Sequence, residues 1–193
     1  MIATYNSLFD RAPSADELSY HGTAIAAGTE TRYGLIYQMQ GSTEGLLTQV
    51  ARWYQQELGR TDSVTVLKYD SGAAYWADKL AGGMSENSVQ TTILVGGDYY
   101  KYLGGSTPTS FVQSIYQAIM NRDASPGEIT YNAARLQNGL SRTTLVNQLL
   151  TSTEGRRTTM AYFYSTELGR QGTVVDLKND DGVAYWANFL VNS

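Results

Sequence analysis

The sequence predicts an all-α protein, a tandem array of four related short helical units arranged as two duplicated halves. Three observations carry this. The 193-residue chain repeats itself at an offset of 110. Its apolar residues return every three or four positions, the spacing of one helix face, and no stretch alternates convincingly as a strand would. Serine, threonine, proline and glycine fall where such helices would start and stop.

The repeat is densest in the middle of each half. Between residues 42–80 and 152–190, 21 of 39 aligned positions are identical, including Ser42-Thr43-Glu44-Gly45 with Ser152-Thr153-Glu154-Gly155 and Leu67-Lys68 with Leu177-Lys178. With one residue of slippage the match extends upstream, where Tyr5, Arg11, Glu17, Tyr20 and Gly28 align with Tyr116, Arg122, Glu128, Tyr131 and Gly139. A weaker repeat divides each half. Every quarter carries an apolar helix ending near an Arg (Arg11, Arg60, Arg122, Arg170), a polar turn, then a helix with an aromatic (Tyr20, Tyr75, Tyr131, Tyr185). A third helix follows Gly28, Gly83 and Gly139, and the fourth quarter stops at Ser193 before its own. The expected domains are therefore 1–104, a first repeat pair, and 105–193, a second pair with its last unit truncated. The boundary falls in the turn-rich Gly104-Gly105-Ser106-Thr107-Pro108-Thr109. The truncated end is expected to leave an apolar face for a partner.

Local signals justify the elements in order. Ser14-x-x-Glu17 and Ser125-Pro126-Gly127-Glu128 read as capping boxes, with Pro126 at the first helical position where its missing N–H costs nothing. Thr29, Ser85 and Ser141 lie just beyond glycines and read as caps of the third helices. Ala51, Tyr54 and Leu58, and likewise Phe163, Tyr164 and Leu168, keep helical spacing. Val64-Thr65-Val66-Leu67 is the exception; it reads, with Val174-Val175-Asp176-Leu177, as a short extended loop docking apolar side chains. Asp70 and Asp180 read as N-caps of the Tyr-Trp helices.

Composition excludes several chemistries. Cysteine is absent and His21 is the one histidine, so thiol nucleophiles, cysteine-ligated metals and histidine metal clusters are out. A net charge of −4 offers no footprint for a phosphate backbone, and no nucleic-acid partner is expected. No 18-residue apolar run occurs, so no membrane insertion is expected, and the N-terminus lacks the pattern of a signal peptide. Only 17% of residues are charged, while 15 are tyrosines. That points to a neutral, aromatic surface.

The order Leu-Gly-Arg, then Asp-x-Gly-x-x-Tyr-Trp, then a Leu, then Ser-Thr-Glu resembles the bacterial domain of unknown function four-two-one-four. Leu58-Gly59-Arg60 with Asp70 to Trp76 and Leu80 carries the resemblance, as does Leu168-Gly169-Arg170 with Asp180 to Trp186 and Leu190. In the other two quarters His21 and Asn132 replace the Trp. The even quarters insert eight or nine extra residues between Gly-Arg and Asp-x-Gly. The resemblance implies helical units of exported and surface-layer-like bacterial proteins and of phage virions, with a more distant likeness to phycobilisome linker domains. It implies no enzymatic activity.

Most of the candidate site residues also fit plainer roles. Arg11, Arg60, Arg122 and Arg170 read better as structural groups than as a ligand ring. Each would bond helix-end carbonyls and pair with a carboxylate, with Glu44 and Glu154 as the first partners to test. Asp70, Asp180 and Asp181 are weak calcium candidates, since the EF-hand spacing is absent. Trp76 and Trp186 read as core side chains, as do the four recurring tyrosines. Tyr99, Tyr100 and Tyr102 look exposed and are candidate partner contacts. His21 could act as a base, but its aligned positions hold Asn and Trp, and no nucleophile motif or phosphate loop accompanies it. No catalytic residue and no cofactor is expected. The expected function is a non-catalytic structural or interaction module, packing against other protein subunits or a second copy of itself, on an extracellular surface or in a virion particle. The alternative is a calcium- or glycan-binding extracellular adhesion module.

Overall fold

A computed structural model describes residues 1–97, 99 and 106–189. The described residues form thirteen helices and no strand: α1 (Ile2–Phe9), α2 (Ala15–Ala26), α3 (Arg32–Gly41), α4 (Thr43–Leu58), α5 (Val64–Leu67), α6 (Ser71–Ala81), α7 (Glu86–Val95), α8 (Pro108–Met120), α9 (Pro126–Gln137), α10 (Arg142–Leu150), α11 (Thr153–Thr166), α12 (Val174–Leu177) and α13 (Asp181–Phe189). Tyr100, Tyr102, Gly104, Gly105 and Leu190 lie outside the described residues.

Most helix starts share one cap. The side-chain oxygens of Ser14, Thr31, Ser63, Ser85, Thr107, Ser125, Ser141, Ser152 and Thr173 each accept the backbone N–H three residues on. Such a cap contributes about 1 kcal/mol. Ser14 and Ser125 complete their capping boxes with Glu17 and Glu128. Thr31, not Thr29, caps α3; the Thr29 hydroxyl instead donates to the Ala24 carbonyl at the end of α2. Gly28, Gly83 and Gly139 stop the preceding helices at φ of 72°, 89° and 97°, a conformation other residues adopt only with strain.

Val64–Leu67 and Val174–Leu177 are single helical turns, not extended loops. Ser63 and Thr173 cap them, and a hydroxyl that satisfies a free N–H favours a turn over extension. Leu67 and Leu177 then reach the interior from one turn.

Contacts divide the chain into two compact units, Met1–Trp53 with Asp62–Met84 and Tyr54–Thr61 with Ser85–Ser193. In the first, Tyr5 and Phe9 of α1 pack with Leu35 and Met39 of α3, and Ile25 closes against them. In the second, α8 is the central helix, packed on α9, α10 and α11. Its two apolar rows, Phe111-Ile115-Ile119 and Val112-Tyr116-Met120, are all buried, each large side chain worth roughly 1.5–3 kcal/mol. A second cluster joins Ala161 and Tyr164 of α11 to Leu177 and Val183.

Candidate functional site

The Ser-Thr-Glu-Gly segments build a tight corner between successive helices. The Ser42 hydroxyl donates to the Met39 carbonyl ending α3 (2.7 Å) and accepts the Gly45 N–H starting α4 (3.1 Å). Ser152 does the same with Leu149 (2.7 Å) and Gly155 (3.0 Å). A Cβ on Gly45 would lie 2.1 Å from the Met39 carbonyl oxygen, and one on Gly155 would lie 2.2 Å from that of Leu149. Only glycine lets the two helices meet there.

The corner aims its glutamate at an arginine. Arg11 Nε and Nη2 donate to the two oxygens of Glu44, both at 2.8 Å, and Nη1 and Nη2 donate to those of Glu17 at 2.9 and 2.8 Å. Arg122 holds Glu154 at 2.7 and 2.8 Å and Glu128 at 3.0 and 2.8 Å with the same atoms. One planar guanidinium thus bridges two carboxylates bidentately, which lysine cannot do. The guanidiniums lie over the rings of Tyr5 and Tyr116, each 5.3 Å from the centroid. The hydrogen bonds from Arg11 and Arg122 depress Glu17 and Glu128 to about 2, and they also hold Glu44 and Glu154 below the usual range.

The helix-end carbonyls are bonded by lysines, not by these arginines. Lys68 Nζ donates to the Phe9 carbonyl (2.8 Å) and to Glu44 (3.3 Å). Lys178 Nζ donates to the Met120 carbonyl (2.7 Å) and to Glu154 (3.5 Å). Arg11 and Arg122 bond only the carbonyl just after themselves, Ala12 and Asp123. Asp10 and Asn121 end α1 and α8 in the left-handed conformation, turning the chain so that the arginine faces the glutamates. Both lysines were visible in the repeat, in Leu67-Lys68 and Leu177-Lys178, yet an aligned Lys beside a Leu does not reveal a partner about sixty residues away.

The four arginines do not share one environment. Arg170 Nη2 pairs with Asp180 Oδ2 (2.7 Å) and lies over the Tyr164 ring, while Arg60 lies over Tyr54. Asp180 Oδ1 accepts the N–H groups of Gly182 (2.8 Å) and Val183 (3.3 Å), and Asp70 Oδ1 accepts that of Gly72 (2.8 Å). Both carboxylates act as N-caps. Asp181 is exposed in the first turn of α13. Among the described residues, no group of three His, Asp or Glu side chains is placed to hold a metal ion.

The aromatics sit the other way round from expectation. Tyr20, Tyr75, Tyr131 and Tyr185 are all exposed, and Trp186 is 46% exposed. Trp76 is half-buried. The reason is local: α6 turns Ala73 and Ala77 inward and α13 turns Val183 and Ala187 inward, which leaves the Tyr-Trp pair on the outer side. The pairs meet edge-on, Tyr75 with Trp76 at 4.8 Å and Tyr185 with Trp186 at 5.1 Å. Tyr20 meets His21 in the same way at 5.0 Å. His21 Nδ1 lies 2.8 Å from Glu30. Lys79 lies over Tyr75 and Arg135 over Tyr131. Tyr99, expected at the surface, is fully buried; its hydroxyl donates to Ser114 Oγ (2.5 Å), its ring meets Phe111, and burial raises its phenol to about 12.

One buried acid has no signature in the sequence. Glu57 is enclosed in the second unit, where Gln90 Nε2 donates to Oε1 (2.6 Å) and Oε2 has no hydrogen-bond partner. Burial pushes this carboxyl up to about 8, against the opposing effect of Gln90.

Residues 98–159 match the family model of a domain of unknown function (DUF4214). The match spans α8 to the middle of α11 and contains Arg122, Glu128 and Glu154. It lies outside the Leu58–Leu80 and Leu168–Leu190 segments that carry the resemblance. No curated protein and no solved structure matches the chain. No helix among the described residues is long and apolar enough to cross a membrane.

Proposed function

We propose that the chain is a non-catalytic structural or interaction module of four tandem helical units, in two halves at 1–104 and 105–193, that packs aromatic faces against partner subunits. Its proposed setting is a virion or a bacterial surface assembly. One observation carries this reading: all four quarters expose a tyrosine at the same recurring position, Tyr20, Tyr75, Tyr131 and Tyr185, and in three of them the next ring braces it edge-on. Braced, exposed tyrosines supply contact area with little entropy left to lose, the property of recognition surfaces. The charged groups around Arg11 and Arg122 are meanwhile held by one another.

The test replaces the four tyrosines together by serine in the native assembly. The expected result is loss of incorporation with an unchanged circular dichroism spectrum and melting temperature. Incorporation at the wild-type level refutes the reading.

A second reading, a glycan-binding extracellular adhesion module, is favoured by the exposed Trp186 indole beside Tyr185. Glycan binding that disappears in Trp186→Ala would favour it over the first. Its calcium-dependent form asks Asp180 to give up Arg170 or its capping bonds. Calorimetry with calcium on the wild type and on Asp180→Ala tests that form.

A further inference from the structure

The same helix face is covered in one half of the chain and open in the other. In the second unit α10 packs against α7, and Val146 of α10 is 0% exposed. The residue aligned with Val146 is Ile36 on α3, which is 38% exposed. The difference extends to the neighbouring helix. Val112 and Ile115 of α8 are fully buried, whereas Met1 and Thr4, their aligned positions, are only half-buried. Met1, Thr4, Ile25, Arg32, Leu35 and Ile36 line an open, largely apolar cleft between α1, α2 and α3, all within the first unit.

What covers the face in the second unit defines what fits the first. α7 buries Val89, Ile93 and Leu94, the last two four and five residues after the first, together with Gln90 and Thr91. Beyond Glu86 in its first turn it carries no charge. Tyr99 follows it and closes over Phe111. Arg142 lies over that same ring (4.6 Å) and donates to the Ser106 carbonyl (3.1 Å). Arg32, aligned with Arg142, stands exposed at the cleft.

We infer that the α1–α3 cleft is a docking seat for one uncharged amphipathic helix of another polypeptide, of the α7 kind: a Val/Ile/Leu stripe with small polar residues on its outer side. The helix lies along α3 and its stripe covers Ile36. This chain's own α7 cannot serve from a second copy, because its stripe is already buried. The inference rests on reading the chain as an interaction module, and it assigns that role to a surface separate from the four tyrosines.

The test titrates a helix-constrained peptide of residues 85–95 into the full-length chain carrying labelled methyl groups. The constraint matters because a free helix of this length is marginal in water. Saturable shifts are expected at the Ile25, Leu35 and Ile36 methyls. Ile36→Asp is expected to weaken binding at least tenfold, with an unchanged circular dichroism spectrum showing that the helices persist, and Ile36→Ser to weaken it in the same direction. A scrambled peptide is expected to give no shifts. The inference is overturned by no shift at millimolar peptide, by shifts at Val146 or elsewhere in place of the cleft, by equal binding of the scrambled peptide, or by indifference to Ile36→Asp. If the peptide fails but the four-tyrosine variant still loses incorporation, only the seat is lost and the interaction reading stands.

Discussion

Replacing Glu57 by glutamine isolates a single buried ionisation. In the folded chain this carboxyl titrates near 8 rather than at its ordinary 4.5, because burial penalises the charged form. The folded state therefore holds a proton that the unfolded state has released, and stability falls as pH rises between those values. At 1.36 kcal/mol per unit, the cost is near zero at pH 4.5, about 3 kcal/mol at pH 7 and roughly 5 kcal/mol above pH 8. Glutamine keeps the acceptor for Gln90 and cannot ionise. Glu57→Gln is thus expected to match the wild type near pH 4.5 and to exceed it by about 3 kcal/mol at pH 7, a rise of roughly 10 °C in melting temperature for a chain of this size. Urea unfolding of both proteins at pH 5, 7 and 8.5 measures the difference. A difference that does not grow with pH, or that grows in the opposite direction, refutes the assignment of Glu57 as a buried acid held neutral by its surroundings.

Other expectations concern the paired networks. Arg122→Met leaves Glu128 and Glu154 without their fork; because both are about a third exposed, the loss is about 2 kcal/mol by chemical denaturation. Arg122→Lys recovers less than half of it, since an ammonium cannot hold two carboxylates bidentately. Glu17 and Glu128, depressed to about 2, contribute stability that is fully present above the ordinary carboxylate value of 4.5 and is lost as pH falls toward 2. Acid titration followed by circular dichroism is expected to show this loss flattened in Glu17→Gln/Glu128→Gln. Gly155→Ala sets a methyl 2.2 Å from the Leu149 oxygen and is expected to cost roughly 3 kcal/mol or to open the corner; Ser152→Ala costs about 1 kcal/mol. Val146→Ala is expected to lower stability by about 1–2 kcal/mol, while Ile36→Ala lowers it by less than about 0.5, measured by thermal melts.

Legibility followed how local each cause was. Capping boxes at Ser14 and Ser125 involve residues three apart, and they were readable outright. The pairing of Arg11 with Glu44, and of Arg122 with Glu154, is long-range; it was reachable only because the repeat marked all four residues. The lysines, the buried Glu57 and the open cleft had no local mark, since each depends on which elements meet. The aromatics depart from expectation for a plainer reason. Tyr and Trp carry the largest apolar areas, which argues for an inward position, yet a helix has one inner face and in α6 and α13 small residues hold it. Tyr99 departs in the other direction, because the hydroxyl of Ser114 gives its phenol a buried partner.

The lysine contacts also impose an order in time. Lys68 reaches back 59 residues to the end of α1, and Lys178 reaches back 58 to the end of α8. A chain made from its N-terminus supplies Glu154 before Lys178, so the Met120 carbonyl at the end of α8 lacks its lysine while the last stretch is synthesised. At ordinary synthesis rates the second lysine follows the first by about 5–20 s. The second network therefore cannot be complete until the last stretch is made, whereas every residue of the first is already in the chain 110 positions earlier.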